Sequence, residues 1–163
     1  MKRKSYADMN CSVARALDVV GDPWTLLVVR DLFQGVHRFD ELQRRLGIAR
    51  NTLTDRLSLL VDHGVAKRVQ YQDNPERYEY RLTEKGRALR PVIWSLMEWG
   101  DTWSGIEEPP VRLIDGNSGR TIVPVLVDAE TRTPLRDLDV RAVPSDGTST
   151  VSGAGAARRT SAD

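Results

Sequence analysis

The stretch "LGIARNTLTDRLSLLVDHGVAKR" (residues 46–68) puts two unlike faces on one helix. Leu53, Leu57, Leu60 and Val61 recur at i, i+4, i+7 and i+8, which is one side of an α-helix. Arg50, Asn51, Thr54, Asp55 and Ser58 occupy the other side. A merely solvated helix in a chain of this composition usually shows Glu and Lys there. This one shows short hydrogen-bonding side chains flanked by Arg50 and Arg56, close to its own N-terminus. Two readings stay open on these residues alone: plain solvent surface, or a face that reads base edges.

Working outward, the segments before this helix read as three more. Val13, Leu17 and Val20 suggest a short helix ended by Gly21. Asp22 can then cap a second helix, with Pro23 suited to its first turn. That helix runs through Leu27, Val28 and Leu32 to a stop at Gly35. "RFDELQRRLG" (residues 38–47) gives a third, with Phe39, Leu42 and Leu46 on one side. Gly47 and Ile48 make a tight break before the opening helix. Two helices joined by a short glycine-containing turn form a helix-turn-helix, whose second helix enters the DNA major groove.

Past Gly64 the period changes. "VAKRVQYQ" and "RYEYRL" alternate and are rich in Val and Tyr, so they read as strands joined by the turn "DNPE". A hairpin directly after a recognition helix is a wing. Lys67 and Arg68 on its first strand and Arg77 at its tip can lie along the phosphates beside an occupied groove. Thr83 is placed to cap a last long helix from Glu84 to about Trp103, which Pro91 should kink or split.

Composition bounds the rest. The chain has 163 residues, 40% hydrophobic and 29% charged, enough for one domain with a core plus an appendage. Up to Trp103 there are 17 Lys and Arg against 14 Asp and Glu; beyond it there are 7 against 9. No apolar run is long enough to cross a bilayer. "MKRKSYADMN" is basic, with no apolar segment after it, so no secretory signal is expected. A single cysteine, Cys11, excludes an internal disulfide framework. Together these point to the cytoplasm.

The stretches "CSVARALDVVGDPWTLLVVRDLFQGVHRFDELQRRLGIARNTLTDRLSLLVDHGVAKR" and "YEYRLTEKGRAL" resemble the HxlR-type winged helix-turn-helix transcriptional regulators. The resemblance runs from about Cys11 to Trp103. It implies a homodimer that binds double-stranded operator DNA. It also implies a mainly α fold with a β wing, here followed by a small C-terminal β appendage. Two departures stand out. Ala49 replaces a usual Ser, which loses an N-cap oxygen at a general cost of about 1 kcal/mol and could also remove one phosphate contact; Ser12 stands where Pro is common.

The expected DNA-binding set is therefore Arg38, Ala49, Arg50, Asn51, Thr52, Thr54, Asp55, Arg56, Lys67, Arg68 and Arg77. Arg50 could donate two hydrogen bonds to guanine and Asn51 could pair with adenine, or either could hold a phosphate. Arg38, Arg56, Arg44 and Arg45 are weaker candidates, with Asp40, Glu41 and Asp55 close enough in sequence to pair with them.

Cys11 opens the first helix, where unpaired backbone N–H groups favour an anion, and Arg15 follows one turn on. The plain reading is a small buried hydrophobe. The resemblance adds that family members use a cysteine here to sense oxidants, quinones or aldehydes, so a small electrophile or oxidant is an expected partner. On the last helix, Leu89, Val92, Ile93, Leu96, Trp99 and Trp103 form a wide apolar face. It either packs on its own domain or, as the resemblance implies, forms the dimer seam.

Enzyme readings find little footing. His37 and His63 are isolated, and there is no Cys/His cluster, glycine-rich phosphate loop or GxSxG elbow. A thiol enzyme using Cys11 would need a base that the sequence does not offer. No metal or cofactor is expected. The nearer alternative to a DNA-binding regulator is a winged helix that serves protein contacts, because the fold alone does not fix the function.

The expected organisation is a winged helix-turn-helix DNA-binding and dimerisation domain over 1–103, a β-strand extension over 104–143 and a disordered tail over 144–163. Within the extension, "VRLI", "TIVPVLV" and "LDVRAV" read as three short strands separated by turn-rich segments, and no internal repeat is expected.

Overall fold

The computed structural model describes residues 5, 6 and 8–144. The tail expected over 144–163 falls, from residue 145 onward, outside the described residues. The chain divides after Pro110 into two compact units.

The first unit is a winged helix. Its elements are α1 (Ser12–Val20), α2 (Pro23–Phe33), α3 (Phe39–Leu46), α4 (Arg50–Asp62), β1 (Ala66–Asp73), β2 (Glu76–Leu82), α5 (Glu84–Arg87) and α6 (Arg90–Trp103). Local chemistry sets most of the boundaries. The Asp22 carboxylate accepts from the Trp24 N–H at 3.0 Å, and Pro23 fills the first turn of α2. Gly47 ends α3 in the left-handed region at φ 65°, as a helix C-terminus meeting a tight turn requires. Thr83 Oγ1 accepts from the Gly86 N–H at 3.2 Å and caps α5. The long last helix is split, as Pro91 suggests: α5 ends at Arg87 and α6 starts at Arg90, with the proline in its first turn, where no N–H is missed.

The core forms around α2 and α4. Val28 and Val29 of α2 and Leu53, Leu57 and Leu60 of α4 are fully or almost fully enclosed, with Leu42 of α3 between them. Val65, Ala66, Leu82 and Ile93 close the core from the wing and α6. Asp31 is also fully buried. It lies 2.8 Å from Arg30 Nη2 and 3.4 Å from Arg45 Nε, which joins α2 to α3.

β1 and β2 pair antiparallel, with Ala66 opposite Leu82 and Asp73 opposite Glu76. The register shifts between Gln70 and Gln72, so Tyr71 is an extra residue in a bulge. A single bridge from Arg38 to Glu79, and the Tyr80 N–H donating to the His37 carbonyl at 2.8 Å, stitch the start of α3 to the wing.

The second unit departs from expectation. Among its described residues it holds, instead of three strands, two isolated bridges, Ile114 to Thr121 and Val127 to Pro134, and a 3-10 turn at Leu135–Asp137. It is also repetitive. "LIDGNSGRTI" (residues 113–122) and "LVDAETRTPL" (residues 126–135) fold alike, thirteen residues apart. In each, an aspartate (Asp115, Asp128) accepts from the hydroxyl three residues on (Ser118, Thr131). In each, the backbone then turns left-handed, at Gly119 (φ 70°) and Arg132 (φ 61°). The aspartate's own N–H donates to the carbonyl five residues on, Arg120 or Thr133. Only scattered positions are shared by the two copies, so the likeness lies in the backbone and its hydrogen bonds more than in the residues.

Candidate nucleic-acid interface

An open groove of about 830 Å³ lies between α4 and the wing. Five arginines line it: Arg38, Arg44, Arg50, Arg68 and Arg77. Thr54 and Ser58 of α4 form one wall, Asp40 and Glu41 of α3 and Glu76 of the wing supply acids, and Phe39, Tyr71, Tyr78 and Tyr80 supply rings.

α4 presents its polar face as its periodicity implies. Arg50, Asn51, Thr54, Asp55 and Ser58 are all exposed. The Arg50 side chain is 71% exposed, with Nη1 3.9 Å from Asp40 and its guanidinium 4.8 Å from the Phe39 ring centre. Thr54 Oγ1 donates to the Arg50 carbonyl at 3.0 Å. On the wing, the Arg68 guanidinium sits 3.6 Å over Tyr78, and that of Arg38 sits 4.7 Å over Tyr71. The Tyr78 hydroxyl donates to Glu76 at 2.9 Å, which raises its pKa above the usual phenol value.

Of the eleven residues expected to meet DNA, the groove gathers Arg38, Arg50, Thr54, Arg68 and Arg77. Asn51 and Asp55 lie on the exposed side of α4 outside it, and Thr52 is half-buried. Ala49 is the N-cap of α4 and makes no side-chain cap bond. Arg56 Nε lies 3.1 Å from Asp22 Oδ1, without the direction of a hydrogen bond. That contact ties α4 to the cap of α2 and turns Arg56 inward, to a partner other than the acids near it in sequence. Lys67 stands opposite Arg81 in the ladder, alternating with Arg68 and so on the other face of the hairpin. Arg45 is held by Asp31 and by the Gln34 side chain. Asp40 and Glu41 were expected beside the arginines, but the tyrosines of the groove and Glu76 were not assigned to a site from the sequence. Their signal was the aromatic spacing of "YQDNPERYEY" (residues 71–80), interleaved with charge.

Cys11 is exposed and is the N-cap of α1, making no side-chain cap bond. Arg15 turns back to donate from Nε to the Met9 carbonyl at 3.1 Å. His37 is half-buried, and its Nδ1 has no hydrogen-bond partner. Burial, and then the Arg81 charge, push its pKa below the usual value. On α6 the expected apolar face divides in two. Ile93 is buried in the core of its own unit, and Leu89 and Met97 pack beside it. Ile93 and Leu89 therefore leave the set of residues free to meet a partner. Val92, Leu96, Trp99 and Trp103 stay exposed, the two tryptophans at 64% and 66%.

A turn-linked helix pair, a two-stranded wing and an arginine-lined groove between them define a winged helix-turn-helix protein. The chain belongs to the HxlR-like helix-turn-helix family, whose model matches residues 19–108. It is 50% identical over 117 residues to Rv3095 of Mycobacterium tuberculosis, named an uncharacterized HTH-type transcriptional regulator; the match covers 71% of this chain and 74% of that one. Among solved structures it is similar to PA1607, named a candidate transcription factor (TM-score 0.74, 38% identity, 92% of this chain and 100% of that one). It is also similar to the redox regulator HypR in its oxidized form (TM-score 0.53, 35% identity, 56% and 96%).

Proposed function

We propose that this transcriptional regulator binds double-stranded operator DNA sequence-specifically, as a homodimer in the cytoplasm. The arginine-lined groove between α4 and the wing carries the reading. α4 enters the major groove with Arg50, Asn51, Thr54 and Asp55 toward base edges. Arg38, Arg68 and Arg77 contact flanking phosphates.

Duplex titration across a salt series tests it. Phosphate contacts release counterions, so affinity should fall steeply as salt rises. Arg50→Ala should weaken operator binding by about 1–3 kcal/mol and leave a scrambled duplex less affected. Salt-independent binding, or none, would favour a winged helix devoted to protein contacts.

The exposed stripe of Val92, Leu96, Trp99 and Trp103 supports the dimer. Its two-fold symmetry calls for half-sites about one helical turn apart. Trp99→Glu should abolish both association and operator binding, because it puts an unpaired carboxylate into an apolar seam. A wild-type chain that sediments as a monomer while binding operator would sink the dimer.

Exposed Cys11, together with the likeness to a redox regulator, supports a response to oxidants or electrophiles. With one cysteine, the modification is a bond across the dimer, a mixed disulfide or an alkylation. Loss of binding suits a repressor and gain suits an activator. Cys11→Ser should bind DNA normally and ignore diamide or a quinone.

A further inference from the structure

We infer that Phe39, Tyr71 and Tyr78 are positioning residues for DNA binding: each ring holds one arginine of the groove ready for the nucleic acid. The inference rests on the DNA-binding reading above. Three of the five groove arginines stack on rings, Arg68 at 3.6 Å, Arg38 at 4.7 Å and Arg50 at 4.8 Å. Arg44 and Arg77 line the same groove and have no ring or acid partner among the described residues.

A guanidinium lying on a ring face keeps its N–H edge turned outward, where a phosphate or a base edge can accept from it. The stack also removes rotamer freedom before DNA arrives, so less is lost on binding. The acids do this less well. Asp40 is 3.9 Å from Arg50 with both side chains largely in solvent, where an ion pair holds weakly.

The hairpin is built to place these rings. Gln70 is opposite Tyr78 and Arg68 is opposite Tyr80, so Arg68 reaches Tyr78 along the diagonal of one face. The Tyr78 hydroxyl donates to Glu76 and is not the group on which Arg68 lies. Strict alternation would send Tyr71 to the face opposite Arg68; the bulge brings it onto the groove, under Arg38.

A positioning ring and a phosphate-binding arginine leave different marks on salt dependence. Losing the ring lowers affinity but keeps the number of phosphates neutralised. Losing the arginine lowers that number too. The test measures binding of the full chain to a mixed-sequence duplex by fluorescence anisotropy across a salt series. Tyr78→Leu should weaken binding about 2- to 5-fold with the slope of log affinity against log salt unchanged. Tyr78→Phe should bind like the unsubstituted chain. Arg68→Ala should lower the slope by about 1, and adding Tyr78→Leu to it should cost nothing more. The pair Arg38→Ala and Tyr71→Leu repeats the cycle should thermal melting show that Tyr78→Leu disturbs the hairpin. A loss from Tyr78→Leu that persists in the Arg68→Ala background overturns the inference, as does an equal loss in Tyr78→Phe. Salt-dependent binding with no loss in Tyr78→Leu sinks this inference alone. No salt-dependent binding by the unsubstituted chain overturns the DNA reading and this inference with it.

Discussion

In the winged helix unit, Leu42, Leu53, Leu57 and Leu60 are almost wholly enclosed, whereas between residues 111 and 144 Val123, Leu126, Val140 and Val143 face outward and no side chain is buried. Both segments are rich in aliphatic residues. They differ in how the backbone spaces them. A helical period aims every third or fourth residue at one neighbour, so α2, α3 and α4 bury a common stripe. The two ten-residue turns of the extension each close with one bridge and aim their aliphatics in several directions. Apolar content thus becomes a core only where the period of the chain supplies a shared face.

Leu57→Ala should test this contrast with the largest effect. The side chain is 1% exposed within the core that α2 and α4 share. Its truncation should cost about 2–5 kcal/mol, read as a lower urea midpoint at unchanged slope. Val123→Ala in the extension, at an exposed position, should stay within about 0.5 kcal/mol. Similar losses from the two would erase the contrast.

Gly86→Ala comes next. A Cβ on Gly86 would lie 2.1 Å from the Val65 carbonyl oxygen and 2.9 Å from Leu82 Cδ2. Backbone cannot step aside as a side chain can, so α5 must lift away from the wing. We expect a loss of about 1–3 kcal/mol by thermal denaturation. Stability unchanged by the alanine would mean that α5 moves freely against β1 and β2.

Most of the winged helix was legible because its signals are local. Asp22, Gly47, Thr83 and Pro91 act within a turn of their own positions, and the α4 seam shows in thirteen residues. What was missed depends on pairing between distant segments. The bulge that turns Tyr71 toward the groove exists only in the β1–β2 register. Arg56 meets Asp22 across two helices. Leu89, Ile93 and Met97 share one line of α6 while Val92, Leu96, Trp99 and Trp103 share the next, and spacing alone does not say which line meets the core. For the extension, short apolar runs suggested strands, but strand assignment needs a partner that a run of valines does not name.

A smaller effect lies at the junction of α3 and the wing. Burial, followed by the charge of Arg81, lowers the His37 pKa from 6.5. The native state therefore keeps the imidazole neutral at pH values where the unfolded chain has begun to protonate it. Above pH 6.5 this group leaves stability untouched; as pH falls below 6.5, the unfolded state binds more protons and stability drops until the folded pKa is passed. His37→Gln should flatten that part of the profile in urea unfolding between pH 7.5 and 5.5. An unaltered slope in the variant would place its source in another group.

The smallest global effect is expected in the extension, and it sharpens the contrast most directly. Asp128 accepts from the Thr131 N–H at 2.7 Å, the Thr131 hydroxyl at 2.9 Å and the Glu130 N–H at 3.1 Å. These bonds, the Thr131 backbone bond foremost, hold its pKa below the ordinary 3.8. The Ser118 hydroxyl and then the Asn117 N–H do the same for Asp115. Each carboxylate therefore stabilises its turn above pH 3.8 and ceases to as pH falls through its lowered value. Asp128→Ala should speed amide hydrogen exchange across residues 126–135 while the main melting transition stays in place. Asp115→Ala should do the same across residues 113–122. Matching local losses would establish the ten-residue turn, repeated at a spacing of thirteen, as the working unit of the extension. If either substitution lowered the main transition, the extension would be contributing to the stability of the whole chain, and its contrast with the winged helix would fail.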